Sequence, residues 1–171
     1  MQPLIPLLIA LVLAGPSVAM AQQSGAVDAS ALASDSGEPV DISADSLEIA
    51  EDSNRAVFSG NVVIVQGAME MRAPRAEAVY GEGGPSDLVE FTASGGRVMM
   101  VTEDQEVEAD TARYDFRDRT LVFTGNVTVI NASGQIDSDR LVIDTRAGTS
   151  SFTGGGESGG RVRSVLTPGG S

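Results

Sequence analysis

The sequence predicts an all-β fold of roughly a dozen strands, a jelly-roll or sandwich, and three observations carry that expectation. From Val40 onward apolar and polar residues alternate, as in Leu47-Glu48-Ile49, Met69-Glu70-Met71-Arg72-Ala73 and Leu141-Val142-Ile143. Alternation with period 2 sends apolar side chains to one face of a strand and polar ones to the other. No segment shows a sustained helical repeat with caps. The chain also repeats itself: at an offset of 65 residues, Val57-Phe58-Ser59-Gly60-Asn61-Val62 returns as Val122-Phe123-Thr124-Gly125-Asn126-Val127. Self-similarity at a fixed spacing marks a duplicated structural unit.

Taken in order, the first charged side chain is Asp28, and before it lies an apolar run from Leu4 to Ala14 followed by Ala19-Met20-Ala21. The run is shorter than the roughly 20 residues that span a membrane, and a small-x-small triplet follows it. These features predict a signal peptide cleaved after Ala21, with export from the cytoplasm. Residues 22–39, rich in Ala, Ser, Gly and Asp, are expected to form a flexible lead-in. The first copy of the repeat follows, with a turn at Asp52-Ser53-Asn54, and the second copy turns at Arg117-Asp118-Arg119. In both copies a glycine interrupts the strand pattern, which implies a bulge or a close approach of two backbones. Between the copies, a loop at Glu82 to Asp87 leads into strands at Leu88 to Ala93 and Arg97 to Thr102 across Gly95-Gly96. A glycine tract from Gly154 to Gly160 precedes a last strand, Arg161 to Leu166. One domain therefore spans residues 40–168, with a tail at 169–171.

Composition narrows the function. The 171 residues carry a net charge of −13, with no His, Cys or Trp, and all 11 basic residues are Arg. Zinc and copper sites lose their usual ligands, His- or Lys-dependent catalysis is excluded, and disulfides cannot hold the fold. An acidic chain without clustered basic residues does not suit a nucleic-acid backbone. No catalytic residue, metal site or cofactor is expected. Carboxylate pairs such as Asp137 and Asp139 are not set apart from other acidic residues, and the run Glu103 to Asp110 reads as a solvated strand face.

Counting in twos from Phe58 and its repeat partner Phe123 gives the inward positions. They include Phe58, Val62, Ile64, Met71, Tyr80, Phe91, Met100, Tyr114, Phe116, Phe123, Val127, Val129 and Ile143, with Leu47, Ile49, Met69, Leu121 and Ile136 nearby. Such a set forms either an ordinary packed core or an apolar groove that holds a lipid. Its many small residues and few aromatics fill space poorly between sheets ~10 Å apart, and its methionines suit an adaptable apolar surface.

Several motifs carry a resemblance. They are a signal peptide, Ala44-Asp45-Ser46-Leu47, the repeated Phe-Ser/Thr-Gly-Asn-Val, Tyr114-Asp115, and a closing Gly160-Arg161-Val162-Arg163-Ser164-Val165-Leu166-Thr167-Pro168. Over residues 40–168 the chain resembles the OstA-like family of periplasmic lipopolysaccharide-export proteins. The resemblance implies an open, twisted antiparallel β-jelly-roll (OstA-like) whose apolar groove carries the acyl chains of lipid A. It also implies a bridge, stacked end to end, between an LptC-like inner-membrane component and an LptD-like outer-membrane component. The groove residues would be the thirteen inward positions from Phe58 to Ile143 named above. The partner edges would be Val40 and Ile42 at one end and Val162 and Leu166 at the other. A membrane-anchored LptC-like role, or an acidic cation-binding or adhesive β module, are the other functions that fit these features. The chain departs from the family in lacking lysine, so Arg72, Arg75, Arg140, Arg161 and Arg163 are the available phosphate contacts, none of them assigned.

Overall fold

The computed structural model describes residues 38–155 and 160–167. The expected signal peptide, nearly all of the lead-in, the middle of the glycine tract, Pro168 and the tail lie outside the described residues. The strands are β1 (Asp41–Ser43), β2 (Ser46–Ala50), β3 (Arg55–Gln66), β4 (Met69–Tyr80), β5 (Leu88–Ser94) and β6 (Val98–Val101). The second copy supplies β7 (Gln105–Ala109), β8 (Thr111–Asp115), β9 (Thr120–Asn131), β10 (Gly134–Asp144), β11 (Thr149–Thr153) and β12 (Arg163–Leu166).

All twelve belong to one antiparallel sheet that does not close into a barrel. The long strands β3, β4, β9 and β10 each pair with two different short strands, one along each half. Thus β2 lies along Arg55 to Ser59 of β3 while β1 lies along Val63 to Val65. At the other end of the sheet, β11 lies along Arg140 to Asp144 of β10 and β12 along Gly134 to Asp137. The connectivity is a meander of eight long strands, four of them interrupted, folded across its middle into two layers. The all-β, open antiparallel expectation is borne out.

The repeated Gly-Asn makes the fold line. Register slips by one residue between Ser59 and Val62 on β3, and again opposite Ser138 to Arg140 of β10. At the first slip Gly60 (φ +80°) and Asn61 (φ +46°) take left-handed conformations; at the second, Gly125 (φ +81°) and Asn126 (φ +46°) repeat them. Glycine and asparagine tolerate that region best, and such bulges turn a strand from one layer into another. An aspartate closes each bend. The Asp45 amide donates to the Gly60 carbonyl at 2.9 Å, and its carboxylate accepts from Asn61 Nδ2 at 2.8 Å. Asp110 makes the same two bonds with Gly125 and Asn126, at 2.9 and 2.8 Å. Asp110, expected on a solvated face, is therefore half of a structural latch.

Apolar residues line up in rows across the layers. One row runs Leu47, Phe58, Ala76, Ala93, Ala112, Phe123, Leu141 and Phe152. In the other layer Ile42, Ile64, Met71, Met100, Val107, Val129 and Ile136 form its counterpart, which ends on the polar Ser164 of β12. The middle of each row is buried, and fully burying one large apolar side chain contributes about 1.5–3 kcal/mol. The two copies meet at β5 against β8 and β6 against β7, and both rows cross that joint without interruption.

Candidate functional site: an apolar slot and two open edges

Near the fold line small residues let the layers converge. Ala73, Ala76, Ala93, Ala109 and Ala112 are all buried there. Farther from the line Met, Phe, Tyr and Ile hold the layers apart, so the two layers form a wedge with its mouth at the far side. A slot of about 550 Å³, partly open to solvent, occupies the mouth. Val40, Ile64, Gln66, Met69 and Met71 line it from one layer; Phe91, Tyr114, Phe116, Leu121 and Thr145 line it from the other side. It is narrow, with about 50 Å³ wide enough to admit the centre of a water molecule.

The slot is apolar in effect as well as in composition. Neither a carboxylate nor an arginine is among these lining residues. Gln66 donates from Nε2 to the Glu38 carbonyl at 3.0 Å, and the Thr145 hydroxyl donates to the Arg119 carbonyl at 2.9 Å. Tyr114 and Phe116 meet edge-on, with centroids 4.5 Å apart and planes at 75°. This is a favoured aromatic geometry that stiffens one wall. Met69 and Met71 on the opposite wall are unbranched and can adapt to an inserted chain.

The thirteen inward positions divide between slot and core. Ile64, Met71, Phe91, Tyr114 and Phe116 line the slot. Val62, Met100, Phe123, Val127, Val129 and Ile143 are fully buried between the layers, while Phe58 and Tyr80 are half-buried against the core. The slot lies at the mouth, while buried alanines occupy the inner positions nearer the bends. Among the lining residues, Gln66 and Thr145 were not foreseen; polar residues at a rim leave no periodic signal. Val40, expected at a partner edge, sits at one end of the slot.

Both ends of the sheet are open. Among the described residues, β1 and β2 pair only with β3, and β11 and β12 only with β10. The apolar rows therefore end on unpaired strands. Of the eight exposed large apolar residues among those described, Leu47, Ile49, Val162, Val165 and Leu166 lie at these edges, with Ile49 and Leu166 each 63% exposed. Of the residues expected at partner edges, Ile42 lies in β1, Val162 immediately precedes β12 and Leu166 ends it. β2 and β11 complete the two edges; β2 carries the alternating Leu47-Glu48-Ile49, whereas β11, Thr-Ser-Ser-Phe-Thr, lacks apolar alternation and leaves no strand signal in the sequence.

Charge is confined to the outer faces. Arg72 pairs with Glu70, Arg55 with Glu77 and Arg113 with Glu90. The hydrogen bond from Arg113 holds the Glu90 carboxyl below its usual range and raises the guanidinium of Arg113 in turn. Among the described residues, no three His, Cys, Asp or Glu side chains gather into a metal site.

A sequence model described as the LptA/(LptD N-terminal domain) lipopolysaccharide transport protein matches residues 41–149. The lipopolysaccharide export system protein LptA of Escherichia coli K12 is 24% identical over 156 residues, covering 85% of this chain and 80% of its own. An uncharacterised protein of Rhizobium meliloti is 25% identical over 140 residues, covering 77% of this chain and 72% of its own. Among solved structures, LptH is described as the LptA-homologous periplasmic component of the lipopolysaccharide transport device of Pseudomonas aeruginosa. It superposes with a TM-score of 0.68 at 20% identity, over 79% of this chain and 99% of that one. The bent open sheet is the fold of that structure, and the matched span holds both Gly-Asn bends and both walls of the slot. The chain belongs to the LptA/LptD N-terminal domain family of lipopolysaccharide transport proteins, which are not enzymes.

Proposed function

We propose that this protein is a periplasmic bridge component that carries lipopolysaccharide with its lipid A acyl chains in the slot. In this reading it stacks end to end between an LptC-like inner-membrane component and an LptD-like outer-membrane component. One observation carries the reading: inward apolar rows cross the joint between the two copies unbroken and end on unpaired strands at both ends. Exposing an acyl chain of ~12 methylenes to water costs about 10 kcal/mol at ~0.8 kcal/mol per CH₂, so transit between membranes needs a covered path. A slot lined by Met, Phe and Tyr covers such a chain, and its narrowness requires the methionine wall to yield as the chain enters. Open edges invite pairing with another chain, which would lengthen the slot in register.

The test is a photo-crosslinker placed in living cells at Tyr114, on the slot wall, or at Thr128, on an outward strand position. An adduct with lipopolysaccharide at Tyr114 and none at Thr128 supports the reading. Equal labelling at the two sites overturns the groove assignment.

A further inference from the structure

The joint inside the chain is a template for the joint between chains. Ser94-Gly95-Gly96-Arg97-Val98 recurs as Ser158-Gly159-Gly160-Arg161-Val162. The strand registers make the match structural. Met99 lies opposite Arg72 and Arg163 opposite Asp137, and Arg72 and Asp137 are themselves repeat partners. Arg161 thus leaves the second copy from the same corner at which Arg97 leaves the first.

Arg97 clamps the two copies together. Its Nη1 donates to the Asn126 carbonyl at 2.8 Å and lies 3.6 Å from Asp110 Oδ1, so it sits on the latch of the following copy. Its Nε and Nη2 donate to Glu108 at 3.1 and 2.9 Å. The counterparts of Asn126, Asp110 and Glu108 in the first copy are Asn61, Asp45 and Ser43: Ser43 ends β1, Asp45 lies between β1 and β2 on the open edge, and Asn61 lies beside it at the bend of β3. Asp45 spends Oδ2 on Asn61, as Asp110 does on Asn126, so its Oδ1 is the counterpart of the Asp110 oxygen that Arg97 approaches.

We infer that Arg161 is the specificity-determining residue of the end-to-end joint, closing on Asp45 and the Asn61 carbonyl of a second copy of this chain. The inference rests on the stacking reading above and adds its register and its selectivity. Applying the β6–β7 and β5–β8 registers to the free edges sets Val162 opposite Ala44, Ser164 opposite Ile42 and Phe152 opposite Leu47 of the next copy. The apolar rows then continue from one molecule into the next. Charge agrees. The β1–β2 edge and its turn carry Asp41, Asp45, Glu48, Glu51 and Asp52 with no basic residue. The β12 edge carries Arg161 and Arg163 with no acidic one. Ser43 is where the free edge lacks the carboxylate that Glu108 supplies inside, so this joint is the weaker and more reversible of the two.

Sedimentation of the exported chain over a concentration series tests this, with circular dichroism confirming the fold of each variant. Arg161→Gln is expected to weaken self-association about tenfold, the loss of a charge-assisted hydrogen bond at an interface. Ser43→Glu is expected to tighten it several-fold even though it adds negative charge to an acidic protein. That gain should vanish in the Arg161→Gln background. Val162→Pro, which interrupts the edge strand, reports on stacking itself. If Val162→Pro weakens association while Arg161→Gln and Ser43→Glu behave as wild type, the arginine clamp is wrong and stacking stands. If the wild-type chain stays monomeric at all concentrations, or if Val162→Pro associates as wild type does, stacking by these edges and the clamp both fall. Association of Arg161→Gln with an LptC- or LptD-like edge but not with itself supports the clamp for self-joints. Loss of both would extend it to those partners.

Discussion

Replacing Gly125 by alanine should loosen one of the two bends that fold the sheet over the slot. Gly125 has φ +81°, where an alanine costs about 1–2 kcal/mol. An added Cβ would lie 3.0 Å from Asp110 Cβ and closer still to its carboxylate, so Asp110 must rotate away from Asn126. That forfeits their 2.8 Å hydrogen bond, about 1 kcal/mol for a surface-exposed pair. The sum is about 2–3 kcal/mol, or about 6–12 °C in midpoint temperature for a domain of this size. Gly148→Ala is the control. Gly148 also has a left-handed backbone (φ +65°), but an added Cβ meets nothing within 4 Å. It should show the conformational cost alone. Thermal unfolding followed by circular dichroism measures both. A Gly125→Ala variant no less stable than Gly148→Ala would refute the claim that the aspartate latch sets the bend.

Two further expectations follow from the packing and the charges. Ala93 is fully buried in a run of three alanines where the layers converge, so Ala93→Phe should overpack the wedge and cost at least about 1–3 kcal/mol in urea unfolding; an unchanged midpoint would mean the layers are not in contact there. The hydrogen bond from the Arg113 guanidinium lowers the pKa of Glu90 from its ordinary value, so the pair's stabilisation is present above the ordinary carboxylate range and is lost as pH falls through the lower, folded value. Both side chains are substantially solvated, which limits the pair to about 0.2–1 kcal/mol. Glu90→Gln should therefore lower stability slightly at neutral pH, with a loss that shrinks as the pH is lowered and the carboxyl protonates, as read from urea midpoints across pH; a loss independent of pH would contradict the pairing.

The parts of this fold that rest on local pattern were legible in the sequence. Alternation marked the strands, and the repeated glycine inside the strand pattern marked a bulge or a close backbone approach, which the left-handed Gly-Asn pairs resolve as a bulge. What the pattern could not separate was slot from core. Phe123 and Phe91 both occupy inward positions, yet Phe123 is buried between the layers while Phe91 faces the slot. The difference comes from which residues lie across the wedge, a long-range fact. The role of Asp110 was hidden for the same reason, since its partner Asn126 is sixteen residues away across the bend. The Arg97 and Arg161 correspondence was present in the letters but shifted by one residue from the main repeat, so an ungapped alignment passes over it.

Equilibrium binding of lipopolysaccharide to the purified chain tests the slot most directly, comparing wild type with Met69→Glu and Thr124→Glu. Met69 is half-buried on the slot wall and can take a carboxylate without burying it in the core, whereas Thr124 is exposed at an outward position opposite Arg140. A slot that holds acyl chains predicts at least tenfold weaker binding for Met69→Glu and wild-type binding for Thr124→Glu, with both folds intact. Equal affinity for all three chains would contradict it.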